Sequence, residues 1–123
     1  MIKDDYFLSL LFEIAKNVPK VAGARIAAAL VYHGKIIAQG QNRYKSHPLQ
    51  KEWGKNEKAI FLHAELDAAK RIYQERLDFS DYTIYIARAK RMGNVWIPGN
   101  ARPCVGCMGF LSDELRLKRI VYT

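Results

Sequence analysis

Leu62-His63-Ala64-Glu65, read with Pro103-Cys104-Val105-Gly106-Cys107, decides how the rest of this chain is understood. One imidazole, a carboxylate two residues on, and a proline-led pair of cysteines form a donor set for a metal ion with a proton carrier beside it. A His-x-Glu triplet alone is what chance provides. A lone Cys-x-x-Cys reads equally as a redox pair, but that role leaves His63 and Glu65 idle. Found together, each at the start of an expected helix, the two motifs favour the metal.

A catalytic zinc ion takes three protein ligands and keeps one position open for water. His63, Cys104 and Cys107 are the candidate ligands, and two thiolates balance the double charge of the ion. Cys104 and Cys107 stand at i and i+3 of a helix start, so both sulfurs lie on one side, where free helix amides favour the thiolate. Glu65 is left out of the ligand set, because a fourth ligand closes the open position. In the first turn after His63 it is placed to move protons between the metal-bound water and a reacting group, and zinc brings the pKa of such a water to about 7.

Working outward, apolar residues at 7, 10, 11, 14 and 15 follow helical spacing, behind Asp4 and Asp5 and ahead of Pro19. Residues 25–32 and 36–39 read as two strands joined by the tight turn His33-Gly34-Lys35. A helix is expected over 62–76, with Leu62, Leu66, Ala69 and Tyr73 on its buried face. A strand follows over 82–89, a loop over 90–102, a helix over 104–115 entered by Pro103, and a strand over 119–122. Residues 41–58 are polar, basic and irregular, a length of loop that is usually functional. The late strand-helix-strand order implies parallel neighbours, and with them a three-layer α-β-α domain on a mixed sheet. Residues 1–123 are read as one domain.

Half of the 123 residues are apolar, yet the longest apolar runs fall short of a membrane span. The N-terminal stretch, with Lys3, Asp4 and Asp5, lacks the pattern of a secretory signal, so a cytoplasmic location and no membrane partner are expected. The net charge of +8 favours an anionic partner, either a nucleotide or a nucleic acid.

With these motifs the chain resembles the cytidine and deoxycytidylate deaminase superfamily, whose zinc-site spacing is a known signature. Residues 25–31 and 34–42 look like the family's first hairpin and the asparagine after it, and 63–68 like its first zinc helix. Residues 85–88 and 101–107 look like its catalytic strand and second zinc helix, and 118–123 like the next strand. The resemblance implies a cytidine-deaminase-like fold, zinc as cofactor and hydrolytic loss of ammonia from a nucleotide base. It implies that Asn42 meets the sugar or base and that the backbone at Ala64 meets the pyrimidine edge. It also implies a homo-oligomer. Fuller members continue past the position matching Thr123, so this version is C-terminally short. A histidine as first ligand separates the chain from free-nucleoside cytidine deaminases, which the resemblance associates with three cysteines.

If Asn42 meets the sugar, then Arg43, Lys45 and Ser46 are placed for a 5′-phosphate. Arg102 and Pro103, leading into Cys104, are further candidate substrate contacts. Trp96, Tyr44, Trp53 and Phe61 are candidates to stack a base. The favoured substrate is deoxycytidylate or cytidylate. The alternatives are a deaminase of single-stranded DNA or RNA and a binding module with purely structural zinc; Glu65, which structural zinc does not need, points to the enzyme.

Overall fold

Ala27, Ala28 and Ala29, all without solvent exposure, stand at the middle of the sheet and explain its thinness. Their methyl groups let helices approach both faces of one strand. The computed structural model describes residues 2–20, 23–43, 63–73 and 78–123.

Strand β1 (Arg25–Tyr32) turns back into β2 (Lys35–Gln41). His33 and Gly34 both have positive φ, 49° and 79°, which matches the right-handed twist of a two-residue hairpin. β1 then pairs antiparallel along its length with β3 (Tyr82–Met92), from Arg25 opposite Ala89 to Tyr32 opposite Tyr82.

The other edge of β3 is shared by two strands. Its early half pairs in parallel with β5 (Arg119–Tyr122), Thr83 opposite Arg119. Its late half pairs antiparallel with β4 (Val95–Gly99), Arg88 opposite Gly99. The sheet therefore has five strands and is mixed, as the order of elements implies.

Helix α1 (Ile2–Lys16) covers one face. Phe7, Leu11 and Ala15 recur at four-residue spacing and pack on Ala27, Ala29, Tyr85, Ala87 and Ala89. Burial of each large side chain is worth roughly 1.5–3 kcal/mol. Asp4 fastens the helix start to the sheet: Arg119 Nη2 donates to it over 2.6 Å, and the Tyr85 hydroxyl over 2.6 Å.

The opposite face carries α2 (Ala64–Tyr73) and the short α3 (Val105–Gly109), packed on Ala28, Leu30, Ile84 and Ile86. α2 is buried around most of its start, from Ala64 to Ala69. Gly40 of β2 lies directly against it, and a Cβ there would stand 2.7 Å from the Ala64 carbonyl oxygen. With α1 on the far side, this is the expected three-layer arrangement.

Three local expectations need correction. The expected loop over 90–102 is largely strand: β3 runs on to Met92 and returns as β4, with Gly93 in the turn at φ 63°. Pro98, which cannot donate to a ladder, is accommodated because β4 lies at the sheet edge. The expected single helix over 104–115 is a five-residue α3 followed by a π-helical turn, Phe110–Glu114. The wider turn, closed by Leu115 N–H to the Phe110 carbonyl over 2.9 Å, lets Phe110, Leu111 and Leu115 all point into the core. His63 stands just before α2 rather than within its first turn; its carbonyl accepts the Asp67 N–H over 2.9 Å. The outer parts of the 62–76 helix, Leu62 and residues 74–76, lie outside the described residues.

No helix among the described residues is long and apolar enough to cross a membrane.

Candidate metal centre

Two helix starts meet on the α2–α3 side of the sheet. Cys104 is the N-cap of α3, extended at φ −65° and ψ 167°, and its sulfur accepts the Cys107 N–H over 3.4 Å. One turn on, Cys107 has no solvent exposure. From the head of α2, His63 brings its Nδ1 to 3.2 Å from Cys107 Sγ and 3.7 Å from Cys104 Sγ.

The donor atoms of His63, Cys104 and Cys107 all lie within 4.8 Å of one another. Tetrahedral zinc, with bonds of about 2.0–2.1 Å to nitrogen and about 2.3 Å to sulfur, requires nitrogen and sulfur about 3.5 Å apart. The two observed separations bracket that value. The Cys104 thiol is drawn down to about 4, chiefly by the Cys107 side chain, with the His63 contact and the Cys107 N–H adding to the effect against the opposing influence of burial. Thiolate character is what a zinc ligand needs, so the residues fit the ion.

Glu65 is 4% exposed. Burial raises its pKa above the usual carboxylate range; its own backbone N–H and His63 oppose the rise, and Cys104 adds to it. A carboxyl that holds its proton to higher pH than an exposed one therefore stands within electrostatic reach of two metal-site donors.

The other sequence candidates are distributed unevenly. Asn42 is buried, with both ends of its amide engaged: Oδ1 accepts the Ile26 N–H over 3.1 Å, and Nδ2 donates to the Ala24 carbonyl over 3.0 Å. Arg43 donates its Nε to Asp67 Oδ2 over 3.0 Å. Ala64 and Pro103 are buried beside the ligands they adjoin. Arg102 is exposed, its backbone N–H held by Asn100 Oδ1 over 3.0 Å. Trp96 belongs to the α1 side, away from the cysteines, with the guanidinium groups of Arg25 and Arg91 5.4 and 5.6 Å from its ring. Lys45, Ser46, Tyr44, Trp53 and Phe61 lie outside the described residues.

Asp67 is the residue that sequence reasoning missed. Its side chain has no exposure and gathers the Gln41 N–H at 2.9 Å, Arg43 at 3.0 Å and Lys70 at 2.9 Å. It thereby ties β2 and the residue after Asn42 to the helix that begins beside His63. The signal was a second acid two residues past Glu65, at a helix start whose neighbours are all small or apolar.

The whole chain, residues 1–123, matches the family model described as the cytidine and deoxycytidylate deaminase zinc-binding region. It is a member of that family of zinc-dependent nucleotide and nucleobase deaminases. Solved structures with the same fold include dCMP deaminase from the cyanophage S-TIM5, with TM-score 0.58, 18% identity, and coverage of 98% of this chain and 81% of that one. Guanine deaminase from Bacillus subtilis superposes with TM-score 0.60 at 22% identity, over 97% of this chain and 62% of its own. A diaminohydroxyphosphoribosylaminopyrimidine deaminase/reductase from Thermotoga maritima gives TM-score 0.58 at 22% identity, over 98% of this chain and 29% of that chain. This chain thus spans less than a third of the Thermotoga protein. No curated protein sequence gives a significant match.

Proposed function

We propose that this chain hydrolyses the exocyclic amine of a cytosine nucleotide, converting deoxycytidylate or cytidylate to the uracil form with release of ammonia. One observation carries the reading: a buried carboxyl of raised pKa, Glu65, within electrostatic reach of a cluster of three metal-donor side chains, His63, Cys104 and Cys107. Zinc, when bound by His63, Cys104 and Cys107, supplies Lewis-acid activation of water.

The rest of the chemistry falls to the chain. Glu65 takes the two protons of water in turn, passing the first to the ring nitrogen and the second to the departing amine. The balance is simple: water contributes the new carbonyl oxygen, the carbon–nitrogen bond breaks, and ammonia carries away the amine. Burial holds bulk water away from Glu65 and raises its pKa above the usual carboxylate range. The Asp67 cluster orients the start of α2, and so Glu65, against β2.

The substrate class draws support from the net charge of +8 and from the cyanophage dCMP deaminase of similar fold, whose structure with dCMP and dUMP has been solved. Assembly into a homo-oligomer belongs to the same proposal. The test is ammonia release by the zinc-loaded chain from deoxycytidylate, cytidylate, deoxycytidine, guanine and a cytosine-containing single-stranded oligonucleotide. Turnover of the nucleotides above the others supports the reading. Turnover of guanine alone, or of nothing in the panel, overturns it.

A further inference from the structure

Arg88 is a charged residue on an inner face of the sheet, and nothing in the chemistry above uses it. On β3 it alternates in phase with Ile84 and Ile86, which face α2 and α3, and not with Tyr85, Ala87 and Ala89, which face α1. Its Nε is buried and meets no hydrogen-bond acceptor among the described residues. Among the described residues its Nη2 reaches the Gly23 carbonyl alone, at 3.5 Å, the outer limit of a hydrogen bond. The ion pairs among the described residues join Lys16 to Glu13, Arg43 and Lys70 to Asp67, and Arg119 to Asp4; none involves Arg88. A half-buried guanidinium whose buried Nε donor is unmet, and which has no counter-ion among the described residues, carries a desolvation cost that a bound anion would relieve.

The fold nonetheless makes room for it. Opposite Arg88, Gly99 has no side chain, and a Cβ there would stand 2.9 Å from Arg88 Cδ. The position is also linked to the site through backbone hydrogen bonds. Gly23, which the guanidinium approaches, precedes Ala24, whose carbonyl holds Asn42. Gly99 is fastened through Thr123 to Ala101, three residues before Cys104: the Thr123 hydroxyl donates to the Gly99 carbonyl over 2.6 Å, and the Thr123 carbonyl accepts the Ala101 N–H over 2.9 Å. Across the sheet, Arg88 thus lies between Ile26, whose backbone groups bond Asn42, and Gly99, which leads toward the cysteines. Arg43, the arginine that the sequence offered for phosphate, is instead paired with buried Asp67.

We propose that Arg88 is a substrate-binding residue that receives a phosphate oxygen of the nucleotide, with Gly99 reserving the space for its side chain. The proposal rests on the deaminase reading for the identity of the substrate, but not for the presence of the anion. A guanidinium matches phosphate with two donors, whereas lysine brings a single point charge and a glutamine no charge.

The experiment has a binding arm and a turnover arm, both on the zinc-loaded full chain and its Arg88→Gln and Arg88→Lys variants. In the binding arm, melting midpoints are recorded with deoxycytidine, deoxycytidine 5′-monophosphate, inorganic phosphate and a short single-stranded oligonucleotide. The wild type is expected to bind the monophosphate at least tenfold more tightly than deoxycytidine. Arg88→Gln is expected to lose that margin and Arg88→Lys to keep part of it, with zinc content and unliganded midpoint close to wild type. A margin for the oligonucleotide alone would assign the same contact to backbone phosphate. In the turnover arm, Arg88→Gln raises KM for the monophosphate tenfold or more and leaves kcat within about threefold. Unchanged discrimination between phosphorylated and unphosphorylated ligands in Arg88→Gln overturns the proposal, even if the chain deaminates well. Phosphate-dependent binding lost in Arg88→Gln sustains it, even if turnover is absent and the deaminase reading falls. Should Arg88→Gln fail to fold, Gly99→Ala, which pushes on the same side chain, is expected to reduce the phosphate margin in the same direction.

Discussion

Arg43 and Asp67, one after the β2 strand and one inside α2, are joined over 3.0 Å at a carboxylate with no solvent exposure. Burial works to raise the pKa of that carboxylate, but the Gln41 N–H, Lys70 and Arg43 together hold it below the usual range. Replacing Asp67 by Ala leaves an amide N–H and two cations without their acceptor. The expected loss is about 3–5 kcal/mol, as for other broken buried pairs, read from urea midpoints. Zinc content should fall too, because the cluster anchors the helix that begins beside His63. An Asp67→Ala variant as stable as wild type would show that the cluster is not structural.

Glu65→Gln keeps the shape of the buried side chain and removes its ability to carry a proton. Turnover on the best substrate should fall by about 10²–10⁴-fold, with zinc content unchanged by metal analysis. The pKa of Glu65 is raised by burial, so the folded protein favours its neutral form and loses stability as pH rises past the value of an unfolded glutamate. The neutral isostere should therefore melt no lower than wild type at pH 7. Full activity in this variant would remove Glu65 from the chemistry.

Asp4 is held at about 2, first by Arg119, then by the Tyr85 hydroxyl, with burial opposing. Its folded pKa is depressed, so it stabilises the fold above the unfolded aspartate value of about 3.9 and ceases to do so as pH falls toward about 2. Arg119 is partly exposed, and solvent screening limits the effect to about 1 kcal/mol. Asp4→Asn should lower the melting midpoint by a few degrees at pH 7 and converge with wild type near pH 2. Equal midpoints at pH 7 would show that this clasp contributes nothing.

Gly40 tests the seating of α2. An alanine there places a methyl group against backbone atoms of Ala64 and Ala68, which have no rotamer to escape into. A cost of about 3 kcal/mol is expected, at the upper end for overpacking. Weakened zinc retention against a chelator should accompany it, because the displaced helix carries His63 at its head.

The metal triad was legible because its chemistry is written in residue types at short spacing: His63 two before Glu65, Cys104 three before Cys107. The first hairpin was legible because His33-Gly34 accepts the backbone angles that a tight turn demands. The second hairpin was hidden. Arg88, Lys90 and Arg91 break the apolar alternation of β3, and Gly93, Pro98 and Gly99 look like loop punctuation until the sheet edge is known. The π turn was hidden as well, since Phe110, Leu111 and Leu115 fit an ordinary helical face nearly as well as a widened one. Asp67 carries no local mark of two of its three partners, which arrive from β2 and the residues after it; Lys70, three residues on, is the local one.

The clasp at Thr123 separates two jobs that the β3–β4 excursion could otherwise confuse. Thr123 N–H donates to the Ile86 carbonyl over 3.1 Å, its hydroxyl and carbonyl hold Gly99 and Ala101, and Arg88 N–H donates to that hydroxyl over 3.2 Å. All four bonds lie at the base of the hairpin, while its tip, with Met92 and Val95 64% and 60% exposed, touches little. The tip is therefore an insertion point: turns of other lengths, labels or affinity sequences grafted between Met92 and Val95 should leave the cysteine pair where it stands, while a cut at the base should unfasten it.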